Sequence, residues 1–254
     1  VSAAVVTAEV AYVLRLADDA LVLAQRLAGQ LTRAPQLEED VALSNIALDL
    51  LGQARPLLTR AGELEGAGRS EDDLAYLREE RAFLNCQLVE VPERDFAETI
   101  ARQLLFSCYQ LPLYRVLATS TDEVVAGVAE KGAKEVDYHR DHAVQWTLRL
   151  GDGTDESHRR MQAALERLWP YADELFESDD VTRAAAASGL GVDPAGLRAG
   201  WDADVDAVLA EATLTRPQPV RRATGGRRGV HTEAMGYLLA EMQHLHRSHP
   251  GATW

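Results

Sequence analysis

The sequence predicts an all-α protein, a four-helix core with further helices added, and three observations predict it. Helical periodicity dominates almost throughout; residues 38–61 are apolar over most of a helix circumference; and the longest helical segments fall into two antiparallel pairs. No internal repeat, low-complexity tract or composition break marks a linker. Residues 1–254 therefore read as one domain.

The first helix takes about residues 7–30, on the stripe Val13, Leu16, Ala20, Leu23 and Leu27. Pro35 and the acids Glu38, Glu39 and Asp40 open the next, where negative charge suits the positive end of a helix dipole. Here Leu43, Ile46, Ala47, Leu50, Ala54, Leu57 and Leu58 make one face, and Leu48 and Leu51 add apolar surface off it. A helix apolar nearly all round belongs in the middle of a bundle. Pro56 is a candidate kink, and EGAGRS closes the helix. Ser70, Glu71, Asp72 and Asp73 then begin another, expected to run through about Asn85, with residues 87–92 as an extended connection.

Residues 95–119 make a helix with Phe96, Ile100, Leu104, Cys108 and Leu111 inward and a distortion expected at Pro112. Thr121 with Asp122 and Glu123 caps the next, whose stripe is Val125, Val128, Gly132, Glu135, His139, His142, Trp146 and Leu150. Thr154 caps a helix through Met161, Leu165, Leu168 and Phe176, bent at Pro170. SDDVTRAAAASGLGV reads as a short helix and loop. Asp193-Pro194 pairs an N-cap with proline at the first helical position, ahead of Leu197, Trp201, Val205 and Leu209. Residues 215–232 carry Pro217, Pro219, Gly225 and Gly226 and form no regular element. A last helix runs from Glu233 through Met235, Leu238, Met242 and Leu245 to about Ser248.

A net charge of −14 argues against general binding of nucleic acid or adsorption on anionic membrane. Cys86 and Cys108 have no metal or disulfide spacing and read as buried thiols of a reduced, cytoplasmic protein. The first ten residues lack a basic segment ahead of their apolar ones, and no stretch holds the roughly 18 consecutive apolar residues of a membrane span.

What interrupts the apolar surface of residues 38–61 is a strip at intervals of four: Asn45, Asp49 and Gln53. A buried carboxylate needs a partner, and the stripe holding Glu135, His139 and His142 offers one. A di-iron bundle requires Glu-x-x-His on two helices. Here the matching positions read Asp49-x-x-Gly52 and Glu135-x-x-Tyr138, and all seven histidines lie at or after position 139. Glu241-x-x-His244 is complete but flanks its own helix's apolar stripe. Asp49, Gln53, Glu135, His139 and His142 are therefore read chiefly as a vestigial site, a buried hydrogen-bond network, with weak binding of one ion as the alternative. There is no G-x-S-x-G, phosphate loop, C-x-x-C or H-E-x-x-H, and no catalytic residue is assigned. Arg216, Arg221, Arg222, Arg227 and Arg228 occupy residues 215–232 without an acid among them. They are either solvated or bind an anionic partner or a phosphate-bearing ligand.

YVLRLADDALVLAQRL, DVALSNIALDLLGQAR, DFAETIARQ, KEVDYHRDHAVQW, LGDGTDES, TGGRRGVHTE and AEMQHL followed by the terminal tryptophan resemble the PaaC subunits of bacterial phenylacetyl-CoA ring-1,2-epoxidases, from about Tyr12 to Trp254. The resemblance implies a ferritin-like fold and a non-catalytic, structural place in a multicomponent monooxygenase, with no cofactor in this chain. It implies as partners a homologous, PaaA-like catalytic protein with di-iron, an NADPH-dependent reductase with flavin and an iron–sulfur centre, and a further small subunit. Hetero-oligomers and self-association are expected, and the arginine loop would face the partners or coenzyme A phosphates. An independent metalloenzyme and a coenzyme A ester binding protein are the alternatives.

Overall fold

Thr7, whose hydroxyl accepts from the Val10 amide, starts α1, Ala8–Ala28. The computed structural model describes residues 7–252; the first six residues and the closing Thr253 and Trp254 lie outside the described residues. Asp40 Oδ1 accepts from Thr32 N (2.9 Å) and Ala34 N (3.3 Å), which folds the short turn before α2, Leu37–Glu65. A long crossover, residues 66–95, leads to α3, Phe96–Leu117, capped by Asp95. α4, Glu123–Gly151, follows after a short turn. Its cap is Asp122, accepting from Val124 N and Val125 N, with Thr121 one residue outside. The added helices are α5 (Asp155–Leu168), α6 (Asp180–Ser188), α7 (Arg198–Glu211) and α8 (Glu233–Ser248).

Two short turns make α1/α2 and α3/α4 antiparallel hairpins, and α2 also packs on α4. Along that seam Asp49 meets His139 and Gln53 meets Glu135, so position rises on one helix as it falls on the other. Those two helices are antiparallel as well. Two hairpins joined by one long crossover constitute the ferritin-like arrangement. The apolar cluster of the interior takes residues from every helix.

Several expectations change. The innermost helices are α1 and α3; α2, expected in the middle, leaves Leu37, Val41 and Leu48 exposed, Leu48 by 65%. In α3 every residue from Ala97 to Leu111 is buried, Thr99, Gln103, Ser107 and Gln110 included, because neighbouring helices cover it on all sides. The helix expected to reach Asn85 ends in a single turn, Asp73–Leu77, after which Arg78 turns extended (ψ 140°). Pro170 breaks its helix into short 3-10 turns, Trp169–Tyr171 and Asp173–Phe176, and Pro194 heads another, Pro194–Leu197, before α7. Residues 87–92, expected to be extended, contain the 3-10 turn Gln87–Val89. By contrast α2 continues through Pro56. α3 likewise continues through Pro112.

The early end at Leu77 has a physical cause in α1. Asp18 and Asp19 are buried carboxylates, and such groups must be paired. Asp18 takes the Arg78 guanidinium and accepts from Leu84 N (2.8 Å), while Asp19 accepts from Cys86 N (2.8 Å) and pairs with Arg227 at 2.7 Å. These bonds replace the ladder that a helix would supply. His231 adds a third tie, with Nδ1 2.7 Å from Glu90 Oε2 and Nε2 2.9 Å from the Phe83 carbonyl. Both ring nitrogens face acceptors. Burial is the largest influence and opposes its charge, but the bond to Glu90, the Glu90 charge, the Phe83 carbonyl and the charge of Glu80 together outweigh it and raise the pKa. Glu90 also accepts from Asn85 and Thr232 N. Residues 77–92 and 224–232 are thereby held together against α1.

Candidate functional site

Helical spacing puts Glu135, His139 and His142 on the side of α4 that faces α2, and Glu39, Asp49 and Gln53 on the facing side of α2. Three cross-helix pairs result. His139 Nε2 lies 3.0 Å from Asp49 Oδ2, His142 Nε2 lies 2.8 Å from Glu39 Oε2, and Gln53 Nε2 donates to Glu135 Oε2 at 3.1 Å. α3 closes the arrangement from within: Gln110 Nε2 and the Tyr114 hydroxyl both donate to Gln53 Oε1 at 3.1 Å. At the outer edge Lys131 Nζ sits 2.7 Å from Glu135 Oε1. Asn45, the remaining member of the sequence strip, is exposed and outside the network.

Glu39, Gln110, Tyr114 and Lys131 are the members that sequence reasoning missed. Lys131 carries a local signal, since Lys131 and Glu135 are four apart on one helix. The pair Gln110 and Tyr114 has the same spacing, but nothing local says that their face meets Gln53. Glu39 reads in the sequence as a dipole acid at the start of α2 and is in fact buried against His142.

Chemically the network pairs its members with one another, apart from His142 Nδ1, which is buried without a partner. Two imidazole Nε2 atoms point at two different carboxylates, and the third carboxylate is shared by an amide and an ammonium. A cation at Glu135 would have to displace Lys131. Among the described residues, no three His, Cys, Asp or Glu side chains converge as a metal-ligand set. Glu241 and His244 lie on the exposed face of α8.

Burial pushes the His139 pKa below 6.5, although the bond to Asp49 works the other way. The imidazole is neutral in the fold near neutral pH. As pH falls below 6.5, the unfolded chain takes up a proton at this position before the folded chain does. The stability associated with neutral His139 is therefore present above 6.5 and lost as pH falls. Urea unfolding at a series of pH values should show this fall, and His139→Gln should flatten it; an equal slope in the variant would refute the assignment.

Gly132 allows the third side of the network to close. A Cβ there would lie 2.6 Å and 2.8 Å from the Tyr114 ring and 3.5 Å from Gln53 Cδ. Gly132→Ala should push Tyr114 off Gln53 and cost about 1–3 kcal/mol, the range for overpacking a close-packed interior. Thermal unfolding measures it, and an unchanged Tm would mean the ring moves freely.

The five loop arginines go to different places. Arg227 is buried between Asp19 and the carbonyls of Arg15 and Leu84, so it is an internal residue. Arg216 reaches Asp202 (2.5 Å) and Asp206 (2.7 Å) and lies over the Trp169 ring. Arg222 pairs with Asp173 at 2.8 Å and Arg228 with Glu177 at 3.2 Å. Arg221 is exposed and makes no ion pair among the described residues. The acids absent from the loop's own sequence come from α1, α7 and the Asp173–Glu177 turn.

Fold and site together define a ferritin-like bundle whose α2 and α4 are tied by polar pairs across their seam. The chain belongs to the phenylacetic acid catabolic protein family, whose model matches residues 2–254. It is 48% identical over 244 residues to the C subunit of the 1,2-phenylacetyl-CoA epoxidase of Escherichia coli (strain K12), covering 96% of this chain and 98% of that protein. Among the described residues no helix is long and apolar enough to cross a membrane.

Proposed function

We propose that the chain is the structural, non-catalytic subunit of a phenylacetyl-CoA 1,2-epoxidase complex in aerobic phenylacetate degradation, supporting a homologous protein that holds the di-iron centre. The observation that carries this reading is the polar seam between α2 and α4. Positions from which a di-iron bundle would present ligands are here tied to each other as Asp49–His139, Gln53–Glu135 and Glu39–His142. Such ties rigidify a bundle. Rigidity is what a scaffold supplies, because a metal site works only if its ligands are held to within about half an ångström.

On this reading the complex draws electrons from NADPH through a reductase with flavin and an iron–sulfur centre, and it includes a further small subunit. We place the assembly in the cytoplasm, a reading supported by the buried free thiols of Cys86 and Cys108. Arg221, with the outward-facing Arg222 and Arg228, is the part of the arginine loop left for a partner or for coenzyme A phosphates.

The deciding experiment measures iron in the chain purified alone and again after anaerobic loading with ferrous iron. Essentially none is expected, together with a stable complex and epoxidation once the homologous catalytic subunit is added. About two tightly held irons per chain, the content of a di-iron bundle, would overturn the scaffold reading in favour of an independent metalloenzyme.

A further inference from the structure

The structure assigns one more binding site: we propose that the cleft between α1, α3 and the Gly226–Arg228 turn holds a single ordered water on the Tyr109 hydroxyl. Tyr109 is 4% exposed and packs its ring against Phe106 and Phe176, yet its hydroxyl has no hydrogen-bond partner among the described residues. A buried phenol normally finds one. Tyr109 lines a narrow, partly enclosed cleft in which the space open to a water molecule is about 20 Å³. One water needs roughly 10–15 Å³ by the same measure, together with two to four polar partners. Around Tyr109 the cleft supplies Arg15, Glu174 and Glu177.

Size and charge both select water over an ion. Arg15 is balanced by Asp179 at 2.6 Å and Arg227 by Asp19, so the cleft has no uncompensated cation to hold an anion. Glu174 engages its oxygens with the amides of Gln87, Gly225 and Arg227, and Glu177 engages its own with Thr224 and Arg228, so neither carboxylate is free to gather a metal. The water would join α3 to the Glu174 turn, which carries no direct hydrogen bond from Tyr109. That junction is also where Arg15, Arg227 and Glu174 tie the loop segments to α1, so hydration there is part of the fold.

A crystal structure of the full chain tests the proposal together with Tyr109→Phe. The expected result is one water oxygen at about 2.7–2.8 Å from the Tyr109 hydroxyl, absent in the variant, with Tm lower by about 2–4 °C for the loss of one hydrogen bond. A dry cleft, or a variant as stable as the parent or more so, would overturn it, because removing an unpaired buried hydroxyl is neutral or stabilising. Bromide appearing at the same position by anomalous scattering would equally overturn it, showing an anion site.

Discussion

Asp18→Ala should lower the unfolding free energy by about 3–5 kcal/mol, the cost of leaving one member of a buried ion pair without its partner. Neither side chain of the Asp18–Arg78 pair is more than 2% exposed, and Asp18 also accepts from the Leu84 amide, so the variant strands a guanidinium and a backbone donor together. For a chain of this length the change corresponds to a fall of roughly 10 °C in Tm. Thermal or urea unfolding of the isolated chain measures it. The double variant Asp18→Leu, Arg78→Met should recover much of the loss, since apolar replacements of a buried pair are often neutral. Some deficit should remain, because Leu84 N and the Leu74 and Ala82 carbonyls lose their partners. A single variant as stable as the parent would mean that Asp18 does not hold the crossover to α1.

The second large effect separates two arginines of one loop. Arg227→Ala should cost about 3–5 kcal/mol, because it leaves Asp19 buried and unpaired. Burial already raises the Asp19 pKa in spite of Arg227, so without the guanidinium the carboxyl would be driven further toward its neutral form. Arg221→Glu should leave stability unchanged, since that side chain is exposed. If the loop also meets a partner or coenzyme A phosphates, Arg221→Glu should weaken complex formation and flatten its salt dependence, while the fold stays intact. Chemical unfolding of both variants, with titration of complex formation against salt for Arg221→Glu, gives the comparison. Equal stability losses would contradict the placement of Arg227 inside the fold. The adjacent Gly226 explains how tightly the turn is seated: a Cβ there would lie 2.3 Å from the Asn85 carbonyl oxygen and 3.0 Å from Gln87 N.

How far the site was legible follows from the range of each signal. Asp49, Gln53, Glu135 and His139 share faces with their own helices' apolar stripes, and that is a matter of spacing along one helix. Their pairing is a matter of two helices' registers, and only the α2/α4 seam fixes it. His142 is visible as ionisable, but its partner Glu39 looks like a solvated helix-start acid. The same limit explains the arginine loop: its own eighteen residues, 215–232, contain no acid, so it reads as a free cationic patch until Asp19, Asp173, Glu177, Asp202 and Asp206 arrive from distant segments.

The sequence by itself determined most of the helices and the Thr154 cap of α5, because periodicity and N-cap side chains act within a few residues. It also determined the all-α class and the resemblance on which the family reading began. Only the tertiary structure decided how completely each helix is covered: α2, read as central, leaves Leu37, Val41 and Leu48 exposed, whereas α3 is buried throughout from Ala97 to Leu111. Tertiary structure also decided that the chain from Arg78 to Pro92 leaves the helix. Local propensity there is worth tenths of a kcal/mol per residue, whereas leaving Asp18 and Asp19 unpaired in the interior would cost several. The long-range electrostatic demand wins, and no reading confined to neighbouring residues contains it.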